Sequence, residues 1–160
     1  MRLIIAAIGR MKSGPERELI DRYRDRISKS GKAVGISSLD IIEIAESREQ
    51  STDARKTEEA ALLLSKLPEN CTIVCFDERG KTPSSRKFAT SLQSHLDSGC
   101  QACAFIIGGP DGLAESWRQS GREVISFGAL TMPHQLVRVL VAEQIYRAIT
   151  IMTGHPYHRD

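Results

Sequence analysis

No apolar run in this 160-residue chain approaches the roughly 20 residues that span a bilayer; Leu3 to Ile8 is typical of the longest. That stretch is also too short for a secretory signal core, and no small-residue cleavage site follows it, so the expected address is the cytoplasm. Charge of one sign is missing as well. The chain has 22 Lys and Arg against 20 Asp and Glu, a formal net charge of +2. A protein that grips nucleic acid mainly by neutralising phosphates spends a Lys or Arg on each contact, so a general nucleic-acid coat is disfavoured. Repeats, low-complexity tracts and linkers are absent too. With 41% hydrophobic and 26% charged residues, what is there reads as one globular domain over residues 1–160.

Cysteine is scarce at four residues. Cys71 and Cys75 share one face of a β-branched run, and Cys100-Gln-Ala-Cys103 leads into a second run. A four-cysteine zinc site needs both pairs on exposed turns, and a redox Cys-x-x-Cys opens a helix, not a strand. Buried free thiols are the expectation. Asn70-Cys71-Thr72 matches a glycosylation sequon, which has no meaning without export.

Strand-like and helical patterns alternate along the chain. Strands are expected at Arg2 to Ile8, Leu39 to Ala45, Cys71 to Asp77, Ala102 to Ile107 and Glu123 to Phe127. The first helix opens at Ser13-Gly-Pro-Glu16, which has the form of a capping box with Pro in the first turn. It carries Leu19, Ile20, Tyr23 and Ile27 on one face as far as Gly31. A second, about Asp53 to Leu67, turns Ala60, Leu63, Leu64 and Leu67 inward and stops at Pro68. The third starts near Pro83, carries Phe88, Leu92 and Leu96, and ends at Gly99. A short helix spans Leu113 to Gln119. The last runs from Pro133 to Met152, with Leu136, Val137, Leu140, Val141, Ile145, Ala148, Ile149 and Met152 apolar. The implied class is α/β, with a largely parallel sheet and helices on both faces. Ligands of such sheets sit outside the carboxyl ends of the strands, which directs attention to the loops after Ile107 and Phe127.

Two nucleotide motifs fail on inspection. Gly9-x-x-x-x-Gly14 has P-loop glycine spacing, but Pro15 and Glu16 stand where Lys and Ser or Thr are required. Ile107 occupies the first glycine position of a dinucleotide fingerprint. What remains is Gly108-Gly-Pro-Asp-Gly112, either a tight turn or a turn whose backbone meets a ligand without an intervening Cβ. The loop Phe127-Gly-Ala-Leu-Thr-Met-Pro133 is unusually apolar, as a buried connection or as the wall of a pocket for a flat heteroaromatic group. The tail His155-Pro-Tyr-His-Arg-Asp160 reads either as a frayed terminus or as a set able to stack on a base and bind phosphate. His155 and His158 alone do not make a metal site, so no metal is expected. His95 is expected at the surface; His134 lies beside the candidate pocket.

The motifs Phe105-Ile-Ile-Gly-Gly-Pro-Asp-Gly112, Ser126-Phe-Gly-Ala-Leu-Thr-Met-Pro-His134, Val137-Arg-Val-Leu-Val-Ala-Glu-Gln-Ile-Tyr-Arg147 and His155-Pro-Tyr-His-Arg159 resemble the ribosomal large-subunit methyltransferase H family, a branch of the SPOUT methyltransferases. The resemblance covers the whole chain. It implies a homodimeric enzyme that uses S-adenosylmethionine to methylate N3 of a pseudouridine in helix 69 of 23S rRNA, on the assembled ribosome, and a C-terminal trefoil knot. By position it places the methyl donor against Phe76, Gly108, Phe127, Gly128, Ala129, Leu130, Thr131 and Met132. Arg147, Tyr157, His158 and Arg159 become substrate-binding residues, with His158, Arg147 and Tyr157 closest to the chemistry.

N3 of a pseudouridine must lose its proton before it can accept a methyl group. Either His158 accepts that proton, or Arg147 and Arg159 stabilise charge developing on the flanking carbonyls. Glu143 is a third candidate, or simply the i, i+4 ion-pair partner of Arg147. Two other classes of function are compatible with the same residues: a small nucleotide- or flavin-binding module without catalysis, and a structural dimer joined through the last helix.

Overall fold

In the computed structural model, which describes residues 1–119 and 123–159, five strands pair side by side and all in parallel. They are β1 (Arg2–Ile8), β2 (Ser38–Ile44), β3 (Thr72–Lys81), β4 (Ala102–Ile107) and β5 (Glu123–Ile125), in the order β2-β1-β4-β3-β5. The inner strands β1 and β4 are buried on both faces, which is why they read as continuous apolar runs and not as alternating ones. Leu3, Ile5 and Ala7 of β1 join Cys103, Phe105 and Ile107 of β4 on one side. Ile4, Ala6 and Ile8 join Ala104 and Ile106 on the other.

Helices α1 (Pro15–Ser30), α3 (Ser85–Asp97) and α5 (His134–Met152) cover the first side, with α5 packed against both α1 and α3. Helices α2 (Thr52–Leu64) and α4 (Glu115–Gln119) cover the second, where Leu63 and Trp117 fill the layer. No helix of the described residues is long and apolar enough to cross a membrane.

Several local expectations are corrected. Ser13 does not cap α1: the N-cap is Gly14, with no side-chain hydrogen bond, and the helix start rests on Pro15, whose φ is already helical, and on Glu16 and Glu18 in the first turn. Strand β3 runs on to Lys81 because the edge strand β5 pairs with it on both sides of an irregularity, Phe76 and Lys81 each lying opposite Ile125. A Cβ at Gly80 would stand 2.5 Å from the Ile125 carbonyl carbon, so only glycine allows that crossing. Strand β5 is accordingly short and stops before Phe127. On α2, Leu64 is 48% exposed while Glu59 is buried. Glu59 is inside because its carboxylate accepts the Ser47 backbone N–H at 2.9 Å, closing the loop before the helix. On α5 Leu136 is exposed and Arg138 is buried, an exchange with consequences described below. His95 is half-buried, 3.8 Å from the Glu123 carboxylate. Of the four free thiols, Cys75 and Cys103 are buried as expected, and Cys71 and Cys100 are half-buried.

Candidate active site

The carboxyl ends of β3, β4 and β5 enclose a cavity of about 280 Å³. Its walls come from three segments: Phe76 to Arg79 at the end of β3, Ile107 to Leu113 after β4, and Ser126 to Met132 after β5. His134 and Val137 of α5, Lys56 of α2 and Arg118 of α4 complete it. The position is the one that parallel α/β sheets reserve for ligands, because loops there leave the strands in the same direction and expose unpaired backbone groups.

Each wall has a local cause. The glycine turn is closed by the Gly112 N–H donating to the Gly109 carbonyl at 2.9 Å, and Gly112 sits at φ +80°. Asp111 is fixed by Arg55, whose Nε lies 2.7 Å from its carboxylate; this hydrogen bond holds the Asp111 carboxyl below the ordinary carboxylate range. Ser126 pins the second loop, its hydroxyl accepting from the Gly128 N–H and donating to the Gly128 carbonyl, both at 3.0 Å. Gly128, at φ +125°, takes a backbone conformation that residues with side chains rarely adopt. The side chains of Phe76 and Phe127 stack at 5.1 Å with their planes 20° apart. That pair divides the main cavity from a smaller one of about 210 Å³ reaching Phe88, Ser85 and Gln144. The rim mixes signs. Asp77, Glu78 and Asp111 face Lys56, Arg79 and Arg118, and Arg118 donates to the nearly buried Asp77 carboxylate at 2.9 Å.

Of the residues expected at a methyl donor, Phe76, Gly108, Phe127, Gly128, Leu130, Thr131 and Met132 line the cavity, and Ala129 does not. Arg147, Tyr157, His158 and Arg159 line neither this cavity nor its smaller neighbour. They gather instead at the other end of α5. Thirteen residues separate His134 from Arg147, about 20 Å of helix at 1.5 Å per residue.

The tail is folded back, not frayed. The His155 N–H donates to the Thr150 carbonyl at 2.9 Å and the Tyr157 N–H to His155 Nδ1 at 3.2 Å. The Tyr157 ring meets the edge of Tyr146 at 4.8 Å, and the Arg147 guanidinium lies 4.9 Å from the Tyr157 ring centre. Glu143 ties the group together: one oxygen accepts Arg147 Nε at 2.9 Å and the Tyr157 hydroxyl at 3.1 Å, and the other accepts Gln144 Nε2 at 2.7 Å. A carboxylate so fully engaged is a brace and not a free base. Burial, then the hydrogen bonds the hydroxyl makes to Tyr23 and Glu143 and the Glu143 charge, push the Tyr157 phenol well above its ordinary value, so it serves as a hydrogen-bond donor and not as a phenolate. Arg147 Nη1 lies 3.3 Å from His158 Nδ1. Because a guanidinium only donates, Arg147 is the donor of this pair and Nδ1 the acceptor. Asp160, the last residue expected in this tail, lies outside the described residues.

Residues 1–158 match the family model described as "Predicted SPOUT methyltransferase". The ribosomal RNA large subunit methyltransferase H of Xanthobacter autotrophicus is 49% identical over 159 residues, covering 99% of both chains. Its namesake from a Bradyrhizobium species is 50% identical over 159 residues, covering 99% of this chain and 98% of its own. This chain belongs to that family of SPOUT methyltransferases. A solved structure, the SpoU methyltransferase AviRb from Streptomyces viridochromogenes in complex with AdoMet, aligns over 96% of this chain and 58% of its own, at 14% identity and a TM-score of 0.40.

Within this SPOUT domain, sequence reasoning missed the pairing of Asp77 with Arg118 at the cavity rim, because nothing local marks two residues 41 positions apart as partners. At Gly108 the packing supports the first of the two readings, the tight turn. A Cβ there would stand 2.8 Å from the backbone of Gly112, so glycine is required by the turn itself before any ligand arrives. Gly108→Val is therefore expected to distort the cavity wall and lower donor affinity by more than about tenfold, a loss of about 1.4 kcal/mol. Calorimetric titration with S-adenosylmethionine, beside a thermal unfolding scan showing that the sheet survives, measures it. Unchanged affinity would remove the turn from the site.

Proposed function

We propose that this SPOUT protein is a large-subunit ribosomal RNA methyltransferase that transfers the methyl group of S-adenosylmethionine to N3 of a pseudouridine in helix 69 of 23S rRNA, on the assembled ribosome. It acts as a homodimer in the cytoplasm, and its C-terminal region carries the trefoil knot implied by the family resemblance. The observation that carries the reading is the division of labour along α5: a ligand cavity at one end and an ordered basic and aromatic tail at the other, about 20 Å away. A second subunit brings them together.

The residues suit the donor. The stacked Phe76 and Phe127 form a flat apolar wall for adenine, while the backbone around Gly108 and from Phe127 to Met132 supplies hydrogen-bonding groups for its edge. When bound, S-adenosylmethionine supplies an electrophilic methyl group on a sulfonium cation. The rim is balanced in charge, Asp77, Glu78 and Asp111 offsetting Lys56, Arg79 and Arg118, so it does not repel that cation.

The tail of the partner subunit orients the base. His158 is held beside Arg147 at 3.3 Å, and Arg147 and Arg159 supply guanidinium donors. Donors aimed at the two carbonyls beside N3 stabilise the imide anion and so ease loss of the N3 proton. This arrangement favours charge stabilisation over proton abstraction by His158, whose Nδ1 already accepts from Arg147. Tyr157, held by Glu143 and Tyr146, fixes the tail and offers an aromatic face for stacking.

A flavin or nucleotide module without catalysis would need the cavity alone and leaves the folded tail without a purpose. Ribosomes from a strain lacking this activity, incubated with the protein and labelled S-adenosylmethionine, are expected to carry label on one pseudouridine of helix 69 by mass spectrometry of 23S rRNA fragments. Label elsewhere would overturn the substrate, and no label at all would overturn the activity.

A further inference from the structure

Behind the cavity, where β1 and β2 end, lies a cluster of charged residues that the reaction above does not use. Arg138, one turn into α5, is completely buried. Its Nη1 donates to the Glu43 carboxylate at 3.0 Å and its Nη2 to the Ile8 carbonyl at 2.6 Å. Arg17 of α1 holds the other Glu43 oxygen at 2.8 Å. Arg138 Nε has no hydrogen-bond partner among the described residues. Such a group is a poor device for stability, since well-packed hydrocarbon of the same volume is often as stable as a buried ion pair, or more so. Its geometry suggests a positional use instead.

His134 stands four residues before Arg138 and so on the same face of α5. It lines the cavity. A Cβ placed on Gly9, the residue that follows β1, would lie 3.1 Å from Glu46 Oε1, 3.5 Å from Arg138 Nη2 and 3.7 Å from His134 Nε2, so His134 and Arg138 crowd, with the Glu46 carboxylate, against one backbone point. Gly9 has φ +86°, and its bare backbone leaves room for both. We propose that His134 is a further donor-contacting residue and that Arg138, clamped by Glu43 and the end of β1, is the positioning residue that holds it at the cavity. Burial, followed by the neighbouring Arg138 charge and against the pull of Glu46, lowers the His134 pKa below the ordinary histidine value. An uncharged imidazole suits this donor, because it hydrogen-bonds a hydroxyl or carboxylate without repelling the sulfonium.

This inference rests on reading the cavity as the donor site, and the test separates the two. S-adenosylmethionine affinity is measured by calorimetry for wild type, His134→Ala, Arg138→Lys and the double variant. Each single change is expected to cost about tenfold, whereas adding Arg138→Lys to His134→Ala costs less than about twofold further, the signature of a coupled pair. Glu43→Gln, which loosens the clamp while keeping Arg138, repeats the cycle if Arg138→Lys fails to fold. Wild-type binding with losses that multiply, or with an unchanged Arg138→Lys, overturns the positioning role; unchanged affinity in His134→Ala overturns the His134 contact and the positioning with it, and in each case the donor reading stands. Absence of wild-type binding overturns the donor reading and this inference with it.

Discussion

Truncation after Pro156 is expected to reduce methyl transfer to 23S rRNA by about 10³-fold or more, the scale of losing positioned donors and substrate contacts together, while S-adenosylmethionine affinity changes by less than about twofold. The split follows from the structure: Tyr157, His158 and Arg159 line neither cavity, Tyr157 meeting Glu143, Tyr146 and Tyr23 and His158 meeting Arg147, all away from the pocket end of α5. Single-turnover transfer to ribosomes and calorimetric titration of the donor measure the two quantities on the same preparation. Tyr157 is half-buried and packs on the outer side of α5, with a hydrogen bond to Tyr23 of α1, so its removal trims the helix layer and not the sheet. A matching collapse of donor affinity would place the tail in the donor pocket or in the fold; full transfer by the truncated protein would remove it from the substrate site.

Much of this layout was legible in the sequence, for physical reasons that differ by element. Arg2 to Ile8 and Ala102 to Ile107 announce themselves because strands buried on both faces have no polar positions to alternate with. The cavity segments were legible through what they lack: Gly108 to Gly112 carries little side-chain bulk, and Phe127 to Met132 has, Thr131 apart, none of the polar residues of a solvated loop. Order within the sheet was not legible, since β1 pairs with β4 across about a hundred residues and periodicity carries no partner information. Helix faces were read by hydrophobicity alone, which failed where a charge is buried for a reason. Arg138 lies inside because Glu43, 95 positions away, and the Ile8 carbonyl wait for it. Leu136, two residues earlier, is left outside at 44% exposure. The tail exposed the same limit. Its composition suggested base stacking and phosphate binding, but only the fold shows that it lies about 20 Å along α5 from the pocket it must serve.

That distance makes a second result decisive. A subunit with Gly108→Val has a damaged cavity and an intact tail; one truncated after Pro156 has the reverse. Assayed with the donor well below the Kd of the Gly108→Val variant, each is expected to be nearly inactive by itself. If one subunit's tail completes the other's cavity, a mixed dimer holds one site in which both parts are intact and one in which both are damaged. Random reassortment of equal amounts makes half the dimers mixed, so activity is expected to return to about a quarter of the wild-type level. Unfolding and refolding the two variants together, followed by transfer assays on ribosomes, makes the measurement, with separately refolded samples combined afterwards as the control. No recovery would mean that each tail serves the cavity of its own chain, which requires the segment after Thr153 to detach from Glu143 and Tyr146 and cross to the other end of α5. Recovery would also account for the small net charge. A surface assembled from two chains with a formal charge of +2 each needs few phosphate contacts if the ribosome presents its target base already shaped, because fit then supplies the selectivity that charge does not.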